Sequence, residues 1–148
     1  MTIQNKLMQY MNSKNAAVKE EGRKFLAENK KRAGVIELPN GLQYEIIKQG
    51  TGEKPKATDT VKAHYAGSLI NGQEFDNSYK RGQPLVITVG GVIQGWVQAL
   101  QLMPVGSKWK LFIPSDLGYG ERGAGHAIPG GATLIFDIEL LEIVNRPK

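Results

Sequence analysis

The chain has 148 residues, 41% of them hydrophobic and 22% charged, with a net charge of +5. That composition suits one globular domain and a small appendage, and it excludes a disordered or membranous chain. The absence of cysteine excludes disulfides, thiolate catalysis and Cys-built zinc sites, and two histidines are too few for a His-rich metal centre.

The charge is unevenly placed. Residues 1–33 hold eight basic side chains (Lys6, Lys14, Lys19, Arg23, Lys24, Lys30, Lys31, Arg32) against three acidic ones (Glu20, Glu21, Glu28), which accounts for the whole excess of +5. The remainder is balanced, so it offers no electrostatic case for nucleic acid. No apolar run is long enough for a membrane span. Lys6, Lys14, Lys19 and Glu20 interrupt any signal-peptide core, so the chain as it stands reads as soluble and cytoplasmic. A chain trimmed of a leader would look the same, which leaves the periplasm or cell envelope open.

In chain order, residues 5–33 read as a helix. They lack Pro, are rich in strong helix formers, and carry a loose stripe of Leu7, Tyr10, Met11, Ala17, Val18, Phe25 and Leu26. The stripe fits a solvated helix that touches a neighbour along one narrow seam. Gly34, after Lys30, Lys31 and Arg32, reads as its C-cap. We therefore divide the chain into a basic helical arm, 1–33, and a main domain, 34–148.

From Leu38 the texture becomes that of strands. Asn40-Gly41 signals a turn, and Leu42 to Ile46 alternates. Val61, Ala63, Tyr65, Gly67 and Leu69 share one face of the next strand, with Lys62, His64, Ala66 and Ser68 on the other. Asn71-Gly72 reads as a tight hairpin turn needing positive φ, and Leu85 to Val89 as a strand. Val92 to Met103 is the one clear helix of this part, its apolar residues recurring at three- and four-residue steps until Pro104 and Gly106 close it. Trp109, Leu111 and Ile113 line another strand. A Gly-rich loop runs from Ser115 to Gly131. The last strand, Thr133 to Val144, turns Leu134, Phe136, Ile138 and Leu140 one way and Asp137 and Glu139 the other. This order predicts an α+β fold in which an antiparallel sheet must curve around one short helix.

Conventional catalytic motifs fail their context tests. Gly118-Tyr-Gly120-Glu-Arg-Gly123 matches a dinucleotide-loop expression, but it leads to a strand and not to the helix such a loop must open. No serine has a nucleophile setting, and His64 and His126 read as surface or loop residues. Glu74 and Asp76 point alike without any sign of a cleft. The informative set is aromatic: Tyr65, Phe75, Trp96, Tyr119 and Phe136 come from five segments, each beside a turn or glycine. On pattern alone an ordinary hydrophobic core explains them better than a lined pocket does.

Several runs then carry a resemblance. Val61-Lys-Ala-His-Tyr65-Ala-Gly67, Gly72-Gln-Glu-Phe75-Asp76-Asn-Ser78, Val92-Ile93-Gln-Gly95-Trp96, Met103-Pro-Val-Gly106, Tyr119-Gly120 and Ala132-Thr-Leu-Ile-Phe136 resemble the FKBP family, the macrolide-binding peptidyl-prolyl cis-trans isomerases, in order and spacing over residues 38–144. Glu21-Gly-Arg-Lys-Phe25-Leu-Ala-Glu-Asn29 and Leu38 to Tyr44 resemble its bacterial macrophage infectivity potentiator branch. The resemblance implies a curved antiparallel half-barrel around one short helix. It implies an enzyme that turns X–Pro bonds without covalent intermediate, metal or cofactor.

The substrate site it implies comprises Tyr65, Phe75, Asp76, Arg81, Leu85, Val92, Ile93, Trp96, Tyr119, Ile128 and Phe136. Trp96 would be the floor; Tyr65, Phe75 and Phe136 the walls. The Ile93 N–H and the Tyr119 hydroxyl would hold substrate carbonyls, and Asp76 would pair with Tyr65 and Arg81 and face the twisted amide. Asp76, Tyr65, Phe136 and Tyr119 would be the catalytic set. Implied partners are proline-containing peptides, unfolded proteins and the family's macrolide inhibitors. The short arm suggests a monomer or a weak homodimer. The competing reading is a non-catalytic module, chaperone-like or macrolide-binding, that grips proline segments.

Three departures from the family pattern stand out. Leu85 occupies a position often held by Phe, which widens one wall. Ile128-Pro129-Gly130-Gly131 replaces the common Ile-Pro-Pro-Asn type of run, which suggests a more mobile loop. His126 lies out of register with the loop histidine of some members, so that residue's role is not carried over.

Overall fold

The computed structural model describes residues 2–145, apart from the side chains of residues 4, 7, 8 and 10–13. Leu7, Tyr10 and Met11 of the arm's stripe, and residues 146–148 of the main domain, thus lie outside the described set. The helix of the arm, α1, is Ile3–Asn29, capped by the Thr2 hydroxyl accepting from the Asn5 N–H at 3.1 Å. It ends four residues before the expected limit, and Lys30, not Gly34, is its cap. The last turn tightens, the Lys31 N–H donating to Glu28 at 3.1 Å and the Arg32 N–H to Asn29 at 3.0 Å. The buried Gln43 side chain adds a second bond, at 2.9 Å, to the Leu26 carbonyl that already accepts from the Lys30 N–H, and accepts from Asn29 Nδ2 at 2.9 Å. Gly34, at φ +90°, then turns the chain into the sheet.

Seven strands follow: β1 Val35–Glu37, β2 Gln43–Lys48, β3 Thr60–Leu69, β4 Glu74–Asn77, β5 Leu85–Thr88, β6 Lys108–Ile113 and β7 Leu134–Ile143. They form one antiparallel sheet in the order β1-β2-β6-β7-β3-β4, with β5 also pairing with β3. Two short helices, α2 Ser78–Arg81 and α3 Gln94–Leu102, complete the α+β architecture. The alternation read in β3 holds residue by residue: Val61, Ala63, Tyr65 and Gly67 are buried, and the residues between them are partly exposed.

Two expected details shift. The turn after β3 uses positive φ at Gly72 alone (+90°), whereas a two-residue Asn-Gly turn of type I′ needs it at both central positions. The Leu69 carbonyl accepts from Gly72 at 3.0 Å and the Leu69 N–H donates to Gln73 at 2.9 Å, closing a longer turn. The helix expected over 92–103 starts at Gln94, because a 3-10 turn at Val89–Gly91 intervenes, anchored by the Val89 N–H on the Asp59 carbonyl at 2.9 Å. Val92 and Ile93 therefore stay extended.

The core lies on the concave side, where Trp96, Ala99 and Leu100 of α3 meet Leu111, Ile113, Leu134, Ile138 and Leu140. Gly95 explains why α3 begins on a glycine: a Cβ there would lie 2.8 Å from Ile113 Cγ2, so only glycine lets the helix settle this close to β6. The convex side of β6 carries Phe112, also buried. Phe25 of α1 packs on it at 6.1 Å between ring centroids, with the Arg32 guanidinium 5.6 Å from its ring.

Candidate active site

The five aromatic segments meet in one place. Tyr65 stands on β3, Phe75 on β4, Trp96 at the start of α3 and Phe136 on β7. Trp96 and Phe136 pack edge to face at 5.2 Å and 87°, Tyr65 and Trp96 at 5.2 Å and 78°, and Phe75 and Phe136 at 5.5 Å and 83°. These are favoured offsets for aromatic quadrupoles. Three of the rings are buried, and Phe75 is partly so. They bound a cavity of about 630 Å³ that also takes in Asp76, Leu85, Val92, Ile93, Tyr119 and Ile128. Ten of the eleven residues named from the sequence line it. Arg81 does not line it and reaches it through Asp76.

Gly67 makes the aromatic cluster possible. It pairs with Phe136 on one side and Asp76 on the other. A Cβ there would lie 2.6 Å from Phe136 Cε1 and 2.7 Å from Phe75 Cζ. Sequence reading placed Gly67 on the inner face without seeing this role. Gly91, Ala124 and Ala127 also line the cavity and were missed. Small residues in a loop carry no apolar periodicity by which to find them.

At one wall the polar groups converge. The Tyr65 hydroxyl donates to Asp76 Oδ2, and Arg81 Nη1 donates to Asp76 Oδ1. Arg81 Nη2 donates to the Tyr65 hydroxyl at 3.1 Å, and the Asn77 N–H donates to Asp76 Oδ1 at 2.9 Å. Burial pushes the Asp76 carboxyl up, but the hydrogen bonds from Tyr65 and Arg81, the Arg81 charge and the Asn77 N–H outweigh it and hold the carboxyl below its ordinary range. Burial and the bond to Asp76 raise the Tyr65 phenol. At neutral pH the site thus presents an ionised carboxylate, with a phenol that keeps its proton. Glu74, the other carboxylate weighed from sequence, turns away to Lys80 at 2.8 Å and Asn77 at 3.1 Å.

Behind this wall lies a contact the sequence did not reveal. Ser78, wholly buried at the start of α2, accepts from the Tyr65 N–H at 2.7 Å and donates to the Tyr65 carbonyl at 3.2 Å, while sharing a 2.7 Å bond with His64 Nδ1. The short helix that carries Arg81 is thereby fixed to the backbone of Tyr65. His64 faces the other side of the sheet, stacked on Tyr79 at 4.5 Å, away from the reading of a nucleophile's base. Among the described residues no group of three or more His, Cys, Asp or Glu side chains is placed to hold a metal ion.

Comparison with known proteins bears on this geometry. The model of the FKBP-type peptidyl-prolyl cis-trans isomerases matches residues 51–141, which hold the cavity-lining residues. The chain belongs to the FKBP-type family. A second family model, the domain amino terminal to FKBP-type peptidyl-prolyl isomerase, matches residues 1–46, past α1 and into β2. The FKBP-type 22 kDa peptidyl-prolyl cis-trans isomerase of Escherichia coli is 55% identical over 128 residues, covering 86% of this chain and 62% of that protein. The outer membrane protein MIP of Legionella longbeachae is 48% identical over 132 residues, covering 89% of this chain and 57% of its own length. The crystal structure of FkpA from Escherichia coli superposes with a TM-score of 0.90 at 41% identity, over 95% of this chain and 65% of that one. The chain thus spans about half to three fifths of the length of these and other curated relatives it matches. Among the described residues no helix is long and apolar enough to cross a membrane.

Proposed function

We propose that this chain accelerates cis-trans rotation about X–Pro bonds in peptides and unfolded proteins, with the aromatic cavity as its site. The observation that carries this reading is the meeting of Tyr65, Phe75, Trp96 and Phe136 around one opening beside an ionised Asp76. Rotation must cross a barrier of roughly 18–20 kcal/mol as amide resonance is lost. The planar amide is strongly dipolar and the half-turned amide less so. A ring-lined cavity therefore disfavours the ground state more than the transition state. A thousandfold gain needs about 4 kcal/mol, which differential solvation and one or two hydrogen bonds can supply.

In this reading Trp96 lies under the proline ring, with Tyr65, Phe75 and Phe136 as walls and Leu85, Val92 and Ile128 completing the apolar lining. The Ile93 N–H and the Tyr119 hydroxyl hold the carbonyls of the peptide. Asp76, oriented by Tyr65 and Arg81, faces the twisting amide. No bond breaks, so the cycle runs without nucleophile or cofactor. The family's macrolide inhibitors compete for the same cavity.

Residues 1–33 form an arm appended to the isomerase domain of 34–148, and the chain is a monomer or a weak dimer paired through the arm. The cell envelope is the compartment we favour over the cytoplasm, on the strength of the relative named as an outer membrane protein. A protease-coupled assay with an Ala-Leu-Pro-Phe peptide tests the activity. The rate of cis-to-trans conversion is expected to rise in proportion to protein and to fall when macrolide is added. Peptide binding without acceleration would make the domain a non-catalytic module instead.

A further inference from the structure

We propose that Asn15 and Gly22 of α1 are positioning residues for the cavity's rim, so that the arm is a working part of the site and not only an appendage. The rim is the loop of residues 119–131, which brings Tyr119, Ala124, Ala127 and Ile128 to the opening. The loop closes on itself. The Gly131 N–H donates to Gly120 at 2.9 Å, and Ala124 and Ile128 exchange two backbone bonds at 2.9 and 3.2 Å. Its two limbs meet at a neck made by Gly120–Glu121 and Gly130–Gly131, and that neck lies against α1.

Three contacts along one face of the helix make the junction. Asn15 Nδ2 donates to the Glu121 carbonyl at 3.2 Å. A Cβ on Gly131 would lie 2.7 Å from the Asn15 carbonyl and 3.2 Å from Lys19 Cβ, and one on Gly130 would lie 2.8 Å from Asn15 Nδ2. Two turns along, a Cβ on Gly22 would lie 2.1 Å from Thr133 Oγ1. Positions 15, 19 and 22 fall on one face at helical spacing. Glycines on both sides of the seam thus permit an approach that any other residue would block. The Gly130-Gly131 pair, read from sequence as a source of looseness, is where the loop accepts the helix. Beside the seam a cavity of about 120 Å³ lies between Val18, Glu21 and the turn after β3, so at this point the helix bears on the loop neck and Thr133. Ile128 of the cavity lies two residues from Gly130, close enough for the neck to set its placement.

The kinetic part of this proposal rests on the cavity being the prolyl site; the structural part does not. The test uses the full chain with Gly22→Ala, whose methyl group pushes α1 off Thr133, and Asn15→Ala, which removes the bond to the neck without adding bulk. Amide hydrogen exchange at Ala124, Ile128 and Gly131 is expected to quicken by about fivefold, the worth of one hydrogen bond, while amides in the β3–β7 pairing keep their rates. KM for the prolyl peptide should rise by a similar factor with kcat little changed, the mark of lost uniform binding. Adding Thr133→Gly to Gly22→Ala clears the overlap and should restore both. Loop amides that exchange at the parent rate in both single variants would overturn the proposal. So would acceleration spread evenly over the whole domain. A parent chain without isomerase activity would sink the prolyl-site reading, yet the exchange measurement would still decide this one.

Discussion

Gly67→Ala isolates the aromatic cluster with a single methyl group. Gly67 sits mid-strand on β3, where alanine suits the backbone; in the absence of neighbours the change would stabilise by about 0.4–1 kcal/mol through the unfolded chain. The neighbours reverse the sign. The added carbon would stand 2.6 Å from Phe136 and 2.7 Å from Phe75, against ordinary contacts of 3.4 Å and more, so the rings must retreat by about 0.8 Å. Phe136 is backed by Trp96 at 5.2 Å, which leaves the cavity as the direction of least resistance. Overpacking of this kind costs roughly 1–3 kcal/mol. The net loss is then about 0–2.5 kcal/mol, or a fall in Tm of up to about 8 °C for a chain of this size. The walls move into the space the proline ring would take, so kcat/KM in the protease-coupled assay should fall about tenfold or more, beyond what the unfolded fraction accounts for. A folded Gly67→Ala protein with unchanged kcat/KM would refute the assignment of Phe75 and Phe136 as the walls that touch substrate.

Other outcomes follow from the polar wall. Asp76→Asn keeps the shape but cannot accept from Tyr65, Arg81 and Asn77 together; kcat/KM is expected to drop about tenfold with the far-UV spectrum preserved. Because the folded carboxyl lies below its ordinary value, Asp76 contributes stability that is complete above the unfolded pKa of about 4 and is lost as pH falls through the folded value. Thermal melts from pH 6 down to pH 2 should show this loss in the parent and a shallower one in Asp76→Asn. Ser78→Ala leaves the buried Tyr65 N–H unpaired, at a cost of roughly 1–3 kcal/mol in denaturant unfolding, with a matching loss of order at Arg81. Tyr119→Phe removes one hydroxyl from a half-exposed ring; its effect should be confined to kcat/KM, about threefold to tenfold, with no change in Tm.

How much of this was legible in the sequence depended on periodicity. The inner faces of β3 and β7 were read residue by residue, because each pairs one buried and one wetter side. The short elements β1, β4 and α2 carry three or four residues each, too few to show a period, and they were not read. The aromatic residues could be found by type, but their convergence depends on Gly67 and Gly95, where the absence of a side chain is the signal. The end of α1 was misplaced because its last turn tightens beside Gln43, a residue of the sheet, before the local glycine is reached. Ser78 entered the sequence reading only as the end of a family-like run; its buried bonds to Tyr65 arise only when α2 folds back on β3.

The most direct measurement is nuclear magnetic resonance exchange on a short Ala-Leu-Pro-Phe peptide, which observes cis and trans forms without a protease. With the parent chain the two forms should interconvert far faster than the tens to hundreds of seconds of the free peptide, and the Trp96 indole signal should shift as the peptide enters. If that signal shifts and the interconversion rate stays at the free value, the cavity binds proline without turning it, and the catalytic account is wrong.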